Sequence, residues 1–131
     1  MDKLVLEIVS VDKLFLKREV DSVRAPGVEG EFGIFAGHAP MIACLDIGVL
    51  RYRVGDKMIK VAVGGGFLEV YANQVTVLVD TAESREDIDV ARARRAKEKA
   101  SGELRKNLSD EEHIKVEAAL RKALARLKVS E

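Results

Sequence analysis

The stretch Glu86–Lys99, EDIDVARARRAKEK, is where the chain changes its period, and the fold turns on that change. Before it, apolar residues alternate, as in LVLEIVS around Leu4, Leu6 and Ile8. After it, Ala93, Ala96, Ala100, Leu104 and Leu108 recur at steps of three and four. Alternation is the signature of half-buried strands; three-and-four spacing is that of one helical face. The stretch itself opens with carboxylates and closes with cations, the order that a helix dipole favours. Asp87 is expected to cap the helix, with Asp89 in its first turn.

Outward toward the N-terminus, turn signals divide the chain into short strands. VGDK at 54–57 reads as a tight hairpin between GVLRYR and MIKVAV, and YANQ at 71–74 separates FLEV from VTVLV. Nine of the ten glycines precede residue 67, where turns and bulges need them. Such strands point to an antiparallel sandwich or a flattened barrel. Outward toward the C-terminus, NLSDEEH interrupts the helical pattern. Ser109 followed by Glu112 is a capping box for a second helix, which places Val116, Leu120, Ala123 and Leu127 on one stripe. An alanine-lined helix against a leucine-lined one predicts an antiparallel helical hairpin. The expected division is a β domain at 1–84 and a two-helix domain at 85–131, the latter too weakly apolar to form a core alone.

The chain has 131 residues with no net charge, 47% hydrophobic and 34% charged, a globular balance. Residues 1–84 carry 9 Lys/Arg against 12 Asp/Glu, and residues 85–131 carry 13 against 10. Aromatics are 5% of the chain and none follows Tyr71, which argues against nucleic-acid binding. No apolar run suits a bilayer span, and the first residues resemble neither a secretory signal nor a transit peptide. Cys44, alone in the run MIACL, is expected to be a buried, inert thiol.

Candidate sites are few. GEFGIFAGHAP (30–40) predicts a sharp loop in which His38 makes a fixing hydrogen bond; two histidines without a cysteine or carboxylate cluster do not make a metal site. VAVGGGFLEV (61–70) lacks the Lys-Ser/Thr of a triphosphate loop and reads as a bulge or tight corner. No nucleophile–base arrangement is legible, so no catalytic residue is assigned.

Three stretches, GEFGIFAGHAP, GGGFLEV followed by VTVLVDTAE, and IDVARA at 88–93, together resemble the ε subunit of bacterial F-type ATP synthases, over the whole chain. The resemblance implies a ten-stranded antiparallel β-sandwich followed by the helical hairpin. It implies a non-catalytic rotor subunit of the central stalk, coupling ion flow to ATP synthesis, with γ, the c-ring loops and the α/β hexamer as partners. The location would be peripheral, on the cytoplasmic side of the bacterial cell membrane. Glu31 and His38 match positions facing the c-ring. The hairpin would either fold on the sandwich or extend into the hexamer and inhibit hydrolysis. No cofactor is required, but ATP is implied as a regulatory ligand. Ile88 and Ala93 would flank its base, Asp89 would bond to the nucleoside and Arg92 would reach the phosphates. Glu83, Lys99, Lys122 and Arg126 match further contact positions, with lysine at two of them where the ATP-binding members carry arginine. Read from charge alone, the same cations are a solvated helix face. Two alternatives are a free-standing ATP-binding regulator and a β-sandwich scaffold or adhesion module; co-purification with γ and the hexamer separates them from a rotor subunit.

Overall fold

The computed structural model describes residues 2–131. Eight strands come first: β1 (Leu4–Ser10), β2 (Leu14–Val20), β3 (Ser22–Gly27), β4 (Gly30–Phe35), β5 (Met41–Val54), β6 (Lys57–Tyr71), β7 (Gln74–Val79) and β8 (Ala82–Glu83). A single 3-10 turn, Arg85–Asp87, leads into α1 (Val90–Glu103) and α2 (Asp110–Ser130).

The strands form one continuous ladder in the order β2-β1-β7-β6-β5-β3-β4, with β8 also paired to β6. It is folded into two layers because β5 and β6, of 14 and 15 residues, run through both. The first part of β5 pairs with the last part of β6, which continues to β7 (Gly66 opposite Val79). The second part of β5 pairs with β3 (Arg24 opposite Arg51), and the first part of β6 with β8 (Ala62 opposite Glu83). The ten strands expected are therefore eight; two of them serve each layer in turn. The expected antiparallel order also has an exception, since β1 lies parallel to β7, with Val5 opposite Gln74.

The crossing point is the glycine run. Gly65 and Gly66 have φ of +100° and +150°, which L side chains rarely adopt. A Cβ at Gly66 would lie 2.0 Å from Leu78 O, and one at Gly64 would lie 2.4 Å from Thr81 Oγ1. A sharp corner packed against a neighbouring strand needs glycine at such points. The expected corner at 61–70 is there, inside a strand rather than between two.

Leu4, Leu6, Ile8, Val23, Ile34, Leu50, Leu68, Val75 and Val77 fill the space between the layers and are shielded from solvent. The hairpins fall where turn chemistry places them. Gly55 closes β5 to β6 at φ +61°, and its N–H donates to Asp21 Oδ2 at 2.8 Å. Ala72 and Asn73 close β6 to β7 with both φ positive.

The helix starts differ in part from expectation. Ser109 and Glu112 form the reciprocal capping box that opens α2, at 3.2 and 3.1 Å. For α1, however, the cap is Asp89, whose carboxylate accepts from Arg92 N–H at 3.1 Å. Asp87 instead accepts from the Ser84 N–H and hydroxyl, both at 2.9 Å, closing the turn before the helix. α1 buries Ala93 and Ala100 and packs on α2, which buries Ala123.

Candidate functional site

The helical pair lies folded on the sandwich. Ala125 and Val129 of α2 cluster with Val49 of β5, Ala62 of β6 and the half-buried Ile88. This face lies beside the predicted stripe of Val116, Leu120, Ala123 and Leu127. It was missed because Ala125 and Val129 are small and four apart, which by itself reads as a slight widening of one stripe. Their value lies in letting the helix approach the sheet.

Polar contacts frame this small apolar seat. Arg126 Nε donates to Glu83 Oε1 at 2.7 Å. The Arg121 guanidinium pairs with the Asp46 carboxylate and holds it below the usual carboxylate range, a preference reinforced by the Ile47 N–H. Lys60 Nζ donates to Lys128 O at 3.4 Å, where α2 presents its last carbonyls.

Of the eight residues matched to a nucleotide site, the fold gathers half. Glu83, Lys122 and Arg126 line one cleft beside Ala62, Gly64 and Thr81, and Ile88 packs on the same side of α2. That cleft holds about 10 Å³ of free space, far below the ~300 Å³ of a usual ligand pocket, because the Glu83–Arg126 pair closes it. The others belong to α1: Asp89 caps it and Ala93 is buried, while Arg92 and Lys99 are exposed and enter none of the ion pairs formed among the described residues.

Glu31 lies on β4, where its two oxygens accept from Arg24 and Arg51, each at 3.1 Å. Arg24 and Arg51 stand directly opposite each other on β3 and β5, an arrangement that repels unless a carboxylate bridges it. His38 sits in the following loop. Its Nδ1 donates to Ala39 O at 2.7 Å, while Gly37 N–H donates to Asn73 Oδ1 at 2.7 Å, tying this loop to the β6–β7 hairpin.

The sequence reading missed one further surface. Cys44, Phe67, Leu78 and Val9 face one another across β5, β6, β7 and β1 in a single row. Cys44, Phe67 and Leu78 are exposed, so the buried thiol expected at Cys44 is corrected. The residue lies between Ala43 and the buried Leu45, and alternation turns it outward. Val9 and Val11 extend the row into a shallow groove. The signal lay in strand register, which a single sequence does not print.

Two family models cover the chain. "ATP synthase, Delta/Epsilon chain, beta-sandwich domain" matches residues 3–85, and "ATP synthase, Delta/Epsilon chain, long alpha-helix domain" matches residues 86–131. The chain belongs to the ATP synthase epsilon-chain family. The ATP synthase epsilon chain of Nitratidesulfovibrio vulgaris is 49% identical over 124 residues, covering 95% of this chain and 92% of its own. That of Syntrophobacter fumaroxidans is 45% identical over 130 residues, with 99% and 97% covered. Among solved structures, a chain of the Euglena gracilis mitochondrial ATP synthase (OSCP/F1/c-ring in rotational state 1) matches with a TM-score of 0.84 at 25% identity, covering 98% of this chain and 81% of that one. A chain of the Tetrahymena thermophila mitochondrial central stalk/c-ring structure has a TM-score of 0.68 at 17% identity and supports the fold alone. Epsilon is a non-catalytic subunit of the synthase, and among the described residues no helix is long and apolar enough to cross a membrane.

Proposed function

We propose that this epsilon chain is a rotor subunit of the central stalk that docks on γ through the row Val9–Leu78–Phe67–Cys44 and meets the c-ring loops through Glu31 and His38. It sits at the cytoplasmic periphery of the bacterial membrane. Its hairpin exchanges between the folded state and one extended toward the α/β hexamer, where it restrains ATP hydrolysis. ATP favours the folded state by touching Ile88, Asp89, Arg92 and Ala93 at the start of α1 and Glu83, Lys99, Lys122 and Arg126 around α2.

The observation that carries this reading is the hairpin's attachment. It rests on Val49, Ala62, Ile88, Ala125 and Val129 and a few partly exposed polar contacts. A seat this small makes release inexpensive, and a ligand that binds only the folded form shifts the balance by RT ln(1 + [L]/Kd), about 2.7 kcal/mol at a hundredfold excess. Arg92 and Lys99 are free cations for an anionic ligand, and Arg126 becomes one when phosphate displaces Glu83. The row across four strands suits a partner because exposed aromatic and aliphatic groups gathered in one patch are characteristic of interfaces.

Calorimetric titration of the purified chain with ATP tests the nucleotide reading. Arg92→Ala should abolish binding and Lys99→Arg with Lys122→Arg should tighten it; equal affinity in all three proteins would remove the site. Pull-down with γ tests the docking row. Phe67→Asp should lose γ while keeping its fold, and undiminished capture would refute that surface.

A further inference from the structure

Asp46 occupies an unusual place in the sheet. Leu45 pairs with Gly66 and Ile47 with Gly64, so Asp46 falls at the corner where β5 passes from one layer to the other. Its Oδ1 accepts from the Ile47 N–H at 2.9 Å, which fixes the carboxylate plane against its own backbone. Its Oδ2 is left facing α2, where the Arg121 guanidinium meets it. The side chains are 34% and 39% exposed, so the pair is partly screened and partly desolvated.

Arg121 precedes Lys122 and lies five residues before Arg126, roughly 7.5 Å along a helix. A helix held at one charged point can swivel about it. Held at two points by different strands, at Asp46 from β5 and Glu83 from β8, it has one register and one rotation. The apolar seat of alanines and valines is smooth and specifies neither strongly. We infer that Asp46 is a positioning residue, which through Arg121 sets the register of α2 on the sandwich and so places Lys122 and Arg126 beside Glu83. The inference rests on the proposed exchange between folded and extended hairpins, and adds to it the element that decides where the folded helix lands. The carboxylate is held rigidly by the corner; the guanidinium reaches it with planar, directional donors.

The test uses the full chain without nucleotide, so its result is independent of whether ATP binds. Amide hydrogen exchange is followed in α2 for the parent, Asp46→Asn, Arg121→Gln and the exchanged pair Asp46→Arg with Arg121→Asp. Each single variant should speed exchange in residues 120–130 by about fivefold, the equivalent of ~1 kcal/mol. The strands should keep parent protection, which excludes a general loss of fold, and Arg121→Gln, a change on the helix surface, guards against a failure at the corner. The exchanged pair should recover most of the protection. Raising salt from 50 mM to 1 M should loosen α2 more in the parent than in Arg121→Gln, which keeps only one of the two anchoring ion pairs, Arg126–Glu83. Parent-like exchange in both single variants, or equal salt sensitivity in parent and Arg121→Gln, would overturn the assignment. Separately, loss of ATP binding by the parent would remove the nucleotide reading and leave this one standing.

Discussion

Replacing Gly66 by alanine should be among the most damaging single changes in this chain. The added Cβ would lie 2.0 Å from Leu78 O and 2.8 Å from Val79 Cα, both backbone atoms that no rotamer change can move. Reaching an ordinary 3.4 Å contact demands a shift of about 1.4 Å between β6 and β7, where Gly66 pairs with Val79 and Phe67 with Leu78. The φ of +150° adds a cost of about 1–3 kcal/mol for any residue with a Cβ. Overpacking contributes another ~1–3 kcal/mol, giving about 2–6 kcal/mol against a total stability of ~5–15 kcal/mol. Urea unfolding followed by circular dichroism reads this directly. Gly64→Ala forms an internal comparison: its obstacle is the Thr81 hydroxyl, a side chain that can rotate, so the loss should be smaller. Gly102→Ala in α1 meets nothing within 4 Å and should stabilise by about 0.5–1 kcal/mol. A Gly66→Ala protein within ~0.5 kcal/mol of the parent would refute the account of the corner.

Residues 1–84 expressed alone should fold and bind γ, since the core between the layers contains no helical residue; a chain without cooperative unfolding would contradict this. Leu50→Ala, at the centre of that core, should cost ~2–5 kcal/mol by urea unfolding. The Ser109 N–H and hydroxyl hold the Glu112 carboxyl below its usual range, so the capping box contributes fully above pH 4.5 and is lost as pH falls through the lowered folded value. Helicity measured between pH 6 and 2 should accordingly fall at the acid end, less so in Glu112→Gln; identical acid curves would exclude the box as the cause.

Local chemistry was legible and long-range geometry was not. Ser109 with Glu112, Gly55 with Asp56, and the Ala72–Asn73 turn each act over four residues, so their signals lie in contiguous sequence. The start of α1 was misread because Asp87 and Asp89 are both sound caps, and only the competing Ser84, which takes up Asp87, decides between them. The strand count erred because β5 and β6 carry their corners internally, and glycines that bend a strand resemble glycines that end one. The parallel pairing of β1 with β7 joins residues some seventy positions apart and leaves no local trace. For the candidate site, charge alone read the cations as a solvated helix face, and only the resemblance to a family singled out Arg92, Lys99, Lys122 and Arg126. The closure of the cleft beside Lys122 by Glu83 and Arg126 depends on how a helix rests on a sheet, which sequence does not show. Asp46 drew no notice, because its importance comes from the corner it occupies.

The two long strands also bear on mechanical behaviour. In a sandwich whose layers join only through loops, sideways force is resisted by apolar contacts, which are non-directional and slide readily. Here the backbone of β5 and β6 passes unbroken from one layer to the next, so shearing the layers means stretching covalent chain and breaking ladders on both sides of the corner. In the proposed seat between γ and the c-ring, the subunit would be twisted at every step. Stitched in this way, the sandwich would act there as a stiff coupling and store little of that torque as internal slip, while the lightly seated helical pair would yield more readily.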